Sequence, residues 1–156
     1  MTFALRAARA DDYHAIASWI PDAQSCIRWA GPLLAFPFEA GDLETLLAKP
    51  DSRSYCLDNG AAEPAAFGQH WCLTPDAVHL GRIIVSPRLR GQGCGHALMS
   101  PLIEAAQRDT GRDIITLRVR RDNEAARRLY SALGFEPADE ASDERALFMR
   151  LLCSSE

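Results

Sequence analysis

The chain has 156 residues, with 17 basic and 21 acidic side chains and a formal net charge of −4. A hydrophobic fraction of 47% with 24% charged residues argues for one globular domain and against a disordered or generally basic, nucleic-acid-binding chain. No apolar run reaches the roughly 18 residues of a membrane span, and Asp11 and Asp12 stand where a signal peptide needs an apolar core, so a cytoplasmic protein is expected, bound to neither membrane nor nucleic acid.

A first strand is expected over residues 3–7. Asp11 or Asp12 then caps a helix that ends near Trp19, where Pro21 stops it. Residues 21–39 read as irregular because of Pro21, Gly31, Pro32 and Pro37, yet they carry Trp29, Phe36 and Phe38. A second helix fits residues 43–48, ended by Pro50. Strands over 54–57 and 65–73 flank the turn signal Asp58-Asn59-Gly60, and a further strand covers 77–85. This half is mostly antiparallel.

The second half alternates. A glycine-rich segment follows Pro87 and leads into a helix with the stripe Leu98, Leu102, Ala105 and Ala106. Pro101 lies inside that helix and is expected to kink it. Gly111 ends the helix, and residues 113–119 form a strand. Asp122 or Asn123 caps a helix reaching Leu133, stopped by Gly134; Phe135 begins another strand, and residues 146–151 form the last. The strand–helix–strand passage demands one parallel crossover in an otherwise antiparallel sheet.

The 77–85 strand breaks its own alternation. Val78 and Leu80 are apolar at even positions, whereas Ile83 and Val85 are apolar at odd ones. Successive side chains of a regular strand point to opposite faces. Either one extra residue near Gly81–Arg82 forms a β-bulge, or both faces are buried.

Five cysteines, an odd number without CxxC spacing, argue against a disulfide framework or a zinc site, and no metal is expected. The main chemical signal is Arg90-Gly91-Gln92-Gly93-Cys94-Gly95, between a strand and a helix. Its glycines let backbone N–H groups converge at a helix N-terminus, which suits a phosphate or pyrophosphate. A P-loop needs a lysine that is absent here, and GxGxxG fails because its third glycine would be His96 or Leu98. The plainer alternative is a tight packing turn.

This loop resembles the Arg/Gln-x-x-Gly-x-Gly/Ala motif of the GNAT superfamily of acyl-CoA-dependent N-acyltransferases, matched by Arg90, Gly93 and Gly95. A second match follows in Asn123, Ala125, Tyr130, Gly134 and Phe135. The resemblance implies an α/β fold with a central, mostly antiparallel twisted sheet of six to seven strands. That sheet would be splayed at the bulged strand and flanked by about four helices. It also implies one N-acetyltransferase domain over 1–156, with an acyl-CoA core at 77–137 and an acceptor wall within 10–50.

By the same resemblance, the cofactor is acetyl-CoA, used as co-substrate. Its pyrophosphate would rest on the amides of Arg90, Gly91, Gln92, Gly93, Cys94, Gly95 and His96, and its pantetheine arm beside Ile83, Ile84 and Val85. Asn123, Arg127 and Tyr130 share one helix face by spacing. The family places the asparagine on the pantetheine and the tyrosine near the thioester sulfur, as acid to the leaving thiolate; a helix cap and a core tyrosine are the structural alternatives. Some members carry a base where His79 stands here, and others use water relays. A histidine pKa near 6.5 suits that task. Cys94, near a helix N-terminus, is expected to have a lowered thiol pKa. Trp29, Phe36 and Phe38 are candidates for the acceptor wall, or plugs for the sheet edge.

The function expected is acetyl transfer to a primary amine of a small molecule by direct attack on the thioester. A protein or peptide amine as acceptor, or a non-catalytic CoA-binding sensor, is the alternative. A homodimer is left open.

Overall fold

The computed structural model describes residues 2–153. Seven strands form one sheet: β1 (Ala4–Ala7), β2 (Arg53–Asp58), β3 (Ala66–Thr74), β4 (Ala77–Val85), β5 (Ile114–Arg120), β6 (Glu136–Pro137) and β7 (Ala146–Leu152). Their spatial order is β1-β2-β3-β4-β5-β7-β6, and only the β4–β5 pair is parallel. The five α-helices among the described residues are α1 (Asp12–Ser18), α2 (Ala23–Ala30), α3 (Leu43–Leu47), α4 (Cys94–Thr110) and α5 (Glu124–Ala132).

The helices cover the two faces of the sheet unequally. On one face α4 packs chiefly on β3 and β4 and reaches β1, β2 and β5, while α5 lies beside β7, with Leu98, Met99 and Leu102 of α4 fully buried in one cluster with Val78, Leu80, Ile115 and Leu117. Each such side chain contributes about 1.5–3 kcal/mol by leaving water. On the other face α1, α2 and α3 enclose Tyr13, Ile16, Cys26, Leu43 and Leu47 over Cys56 and Phe67. Helix α4 runs through Pro101 without interruption and ends at Gly111, whose φ of 69° is left-handed.

The segment read as irregular contains α2. Asp22 caps it by accepting from the Ser25 N–H at 2.8 Å, and Gly31, at φ 78°, ends it. Pro21 and Pro32 bracket the helix rather than preclude it, because proline disturbs a helix only when it falls inside one.

The alternation break in β4 is a bulge. Phe67 pairs with Ile84 and Gln69 with Gly81, so two steps along β3 face three along β4. Arg82 takes the extra step at φ 52°, in the left-handed region. The bulge returns Ile83 and Val85 to the face of Val78 and Leu80, against the same core. It also ends the pairing with β5, which holds from Ala77–Ile114 to Leu80–Leu117 and stops there. Beyond Leu80 the two strands separate, and the sheet opens.

Candidate active site

The opening is a cleft of about 720 Å³. Its walls are the β4 edge at Ile83–Val85, the turn and start of α4 at Arg90–Gly95, α5 from Asn123 to Tyr130, and α2 with the turn before it, from Trp19 to Trp29. The floor at β4 has a free edge. The Ser86 N–H donates to the carbonyl of Ala65, the residue just before β3, at 2.8 Å. Alternation therefore turns the N–H groups of Ile83 and Val85 away from β3, into the cleft.

At the mouth, Gly91 and Gly93 have φ of 79° and 83°, and no atom lies within 4 Å of where a Cβ would be built on either. These left-handed turns are what the glycines are for. The first hydrogen bond of α4 runs from the Ala97 N–H to the Gly93 carbonyl at 3.0 Å. None of the N–H groups from Gly91 to His96 donates to a protein acceptor among the described residues. Such a row of converging donors at the positive end of a 17-residue helix attracts anions. The charged side chains lining the cleft, Arg28 and Arg90, are both cationic. Gly95 serves packing as well, since a Cβ there would meet Leu129 of α5 at 3.3 Å.

Tyr130 projects from α5 into the cleft wall and is 7% exposed. Its hydroxyl has no hydrogen-bond partner among the described residues, and burial pushes its pKa up to about 12. The phenol is therefore fully protonated at neutral pH. Asn123 caps α5 by accepting from the Ala126 N–H at 3.2 Å, and it also lines the cleft.

Other expected site residues fall elsewhere. Arg127 donates to the Arg121 carbonyl at 2.9 Å and faces a separate groove beside β6 and β7. Gln92 donates to the Arg88 carbonyl at 3.2 Å, and neither its side chain nor that of His96 lines the cleft. Trp29 does line it, but Phe36 and Phe38 pack edge-on against each other beside the α1–α3 core. Cys94 lines the cleft but is 1% exposed, and burial pushes its thiol up, opposite to the lowering expected from the helix end.

His79 does not line the cleft either. Its ring lies between Trp71 and Phe148, with centroids at 5.2 and 5.9 Å, and its Nδ1 is in hydrogen-bond contact with the Thr116 hydroxyl at 2.8 Å. Burial, with the charges of Arg118 and Lys49, pushes its pKa down to about 4. A base that weak is poorly matched to an ammonium proton, so these surroundings give no support to the expectation that His79 is the base. Trp19, Ile20, Pro21, Ser25 and Arg28 line the cleft too; they fall within the 10–50 segment expected to form a wall, but sequence reading did not name them one by one. Asp22, an N-cap three residues before Ser25, is the signal that places Ser25 and Arg28 on a helix.

The fold matches several solved acetyltransferases. The ribosomal-protein-S18-alanine N-acetyltransferase of Escherichia coli is 24% identical, with a TM-score of 0.71 over 99% of this chain and 96% of that one. The yncA protein of Salmonella typhimurium, solved with its cofactor acetyl-CoA, is 19% identical, with a TM-score of 0.75 over 100% and 96%. The spermidine N-acetyltransferase of Vibrio cholerae, solved with CoA and spermine, is 16% identical, with a TM-score of 0.79 over 96% and 95%. The model of the acetyltransferase (GNAT) family matches residues 19–135, a span that contains the bulged strand, the glycine arc and Tyr130. The chain belongs to the acetyltransferase (GNAT) family.

Proposed function

We propose that this protein transfers an acetyl group from acetyl-CoA to a primary amine of a small molecule. The observation that carries the reading is the row of unpaired N–H groups from Gly91 to His96 at the end of a cleft with a free strand edge. That pairing suits a ligand with a diphosphate at one end and an extended amide chain behind it. Bound there, acetyl-CoA would supply an activated thioester carbonyl.

The chain's residues would then do three things. The arc from Gly91 to His96, with Arg90, holds the diphosphate. The N–H groups of Ile83 and Val85 hold the extended arm and polarise the carbonyl, a contribution of about 3–4 kcal/mol for a well-aimed donor. Tyr130, with its unpartnered hydroxyl, donates the proton that the departing sulfur needs. Overall the ammonium first loses one proton to water, its nitrogen then forms a bond to the carbonyl carbon, the carbon–sulfur bond breaks, and the nitrogen's second proton passes through solvent to restore the Tyr130 phenol. No histidine or carboxylate lines the cleft among the described residues, so we assign both proton removals to solvent and His79 to holding the sheet.

Free-thiol release from acetyl-CoA, measured against a panel of small amines, tests the reading. Amine-dependent release that falls sharply in Tyr130→Phe supports it. CoA binding without release above hydrolysis, for any amine, would favour a sensor.

A further inference from the structure

The face of the sheet opposite α4 and α5 carries two cations without a counter-ion. Arg82, the bulge residue, sends its side chain to that face, where one Nη donates to the Leu47 carbonyl at 2.7 Å and to Gln69 Oε1 at 2.9 Å. Lys49, the only lysine in the chain, has its Nζ 4.9 Å from the centroid of the Trp71 ring, and the Arg82 guanidinium lies 5.4 Å from the same centroid. Neither forms an ion pair among the described residues. A third cation nearby, Arg118 over Phe148, differs in having Asp143 at 3.6 Å.

This arrangement is built rather than incidental. Gln69 is 1% exposed and is itself fixed, its Nε2 donating to the Leu47 carbonyl at 3.1 Å and to Ser54 Oγ at 2.9 Å. The Trp71 ring lies on Gly81, where any Cβ would run into it. Arg82 is held at a positive φ that a non-glycine residue seldom adopts. Two like charges against one ring, one of them on a half-buried residue, cost free energy unless an anion joins them. The other guanidinium donors of Arg82, its Nε–H and second Nη, have no acceptor among the described residues.

The position of the pair gives it a use. Arg82 is followed directly by Ile83–Val85, which line the cleft, and its carbonyl accepts from the cleft residue Trp29 at 2.8 Å. A small molecule held at Arg82 and Lys49 by one end would have its other end beside the bulge. We propose that Lys49, Arg82 and Trp71 form the acceptor's recognition site, and that the acceptor is a small amine also carrying an anionic group, a carboxylate or a phosphate, rather than a polyamine. This rests on the acetyltransferase reading above.

Matched pairs of amines test it by thiol release with saturating acetyl-CoA. Glycine, β-alanine and 4-aminobutyrate are each compared with their amides, O-phosphoethanolamine with ethanolamine, and spermidine is run beside them. The expected result is a kcat/KM at least about tenfold higher for the anionic member of one pair or more. Which pair responds tells carboxylate from phosphate. Lys49→Met, on a side chain outside the core, should reduce that preference about tenfold, and Lys49→Glu should reverse it. Preference for the amides, ethanolamine or spermidine would overturn the proposal. So would a preference untouched by either Lys49 substitution, or the absence of turnover with every anionic amine while CoA still binds. Failure of the acetyltransferase reading itself would show differently, as no thiol release with any amine, the amides, ethanolamine and spermidine included, or as no CoA uptake in a calorimetric titration.

Discussion

Trp29 donates its indole N–H to the backbone carbonyl of Arg82 at 2.8 Å, across 53 positions of sequence. This one bond ties α2 to the bulge that opens the sheet. Trp29→Phe keeps the ring's packing against Phe67 and removes only the donor. A hydrogen bond of this kind contributes about 0.5–1.5 kcal/mol. We expect a Tm lowered by a few degrees and a KM for acetyl-CoA raised several-fold, read by thermal denaturation and steady-state kinetics. Unchanged values of both would detach α2 from the working of the cleft.

Tyr130→Phe should lower kcat about 100-fold or more, the usual size of a general acid's contribution. The pKa near 12 means that the phenol does not ionise between pH 6 and 9, so the wild-type rate should show no tyrosine titration there. CoA affinity measured by calorimetry should stay within about twofold, because the hydroxyl has no partner to lose. A variant with full kcat would remove the tyrosine from the chemistry.

His79 offers a test by pH. Its folded pKa of about 4 lies below the unfolded value near 6.5, so the unfolded chain binds the proton more tightly. The stability held by the neutral ring is fully present above about pH 6.5 and is lost as the pH falls through 6.5 toward 4. On the order of 3 kcal/mol is at stake for so buried a ring. In His79→Gln the decline in denaturation free energy between pH 7 and pH 4 should be shallower than in the wild type. Parallel curves would contradict the assignment, and so would a basic limb near pH 6.5 in kcat that vanishes in the variant.

Much of the fold was legible because the signals were local. The parity change between Leu80 and Ile83 announced the bulge, and the glycines around Gln92 announced the arc, since left-handed backbone leaves few other choices of residue. Helix α2 was hidden by its own punctuation. Pro21, Gly31 and Pro32 look like a loop until Asp22 is seen as a cap and Gly31 as a stop. The meeting of Lys49, Trp71 and Arg82 could not be read at all, because it depends on how α3, β3 and β4 stack in space. The setting of His79 was hidden for the same reason: its spacing suggests a base, while Trp71, Phe148 and Thr116 surround it from three different strands.

Everything proposed for the cleft depends on the arc between Gly91 and His96 gripping a diphosphate. Gly93→Ala tests it with little side effect, since no atom lies within 4 Å of the added Cβ and the cost is confined to the backbone at φ 83°. That strain is about 1–2 kcal/mol. The direct measurement is a calorimetric titration of wild type and Gly93→Ala with CoA and with pantetheine, which lacks the diphosphate. One-to-one uptake of CoA by the wild type is expected, weakened about tenfold by Gly93→Ala and far weaker for the diphosphate-free ligand. Absence of heat with CoA, or equal affinity for both ligands and both proteins, would contradict it.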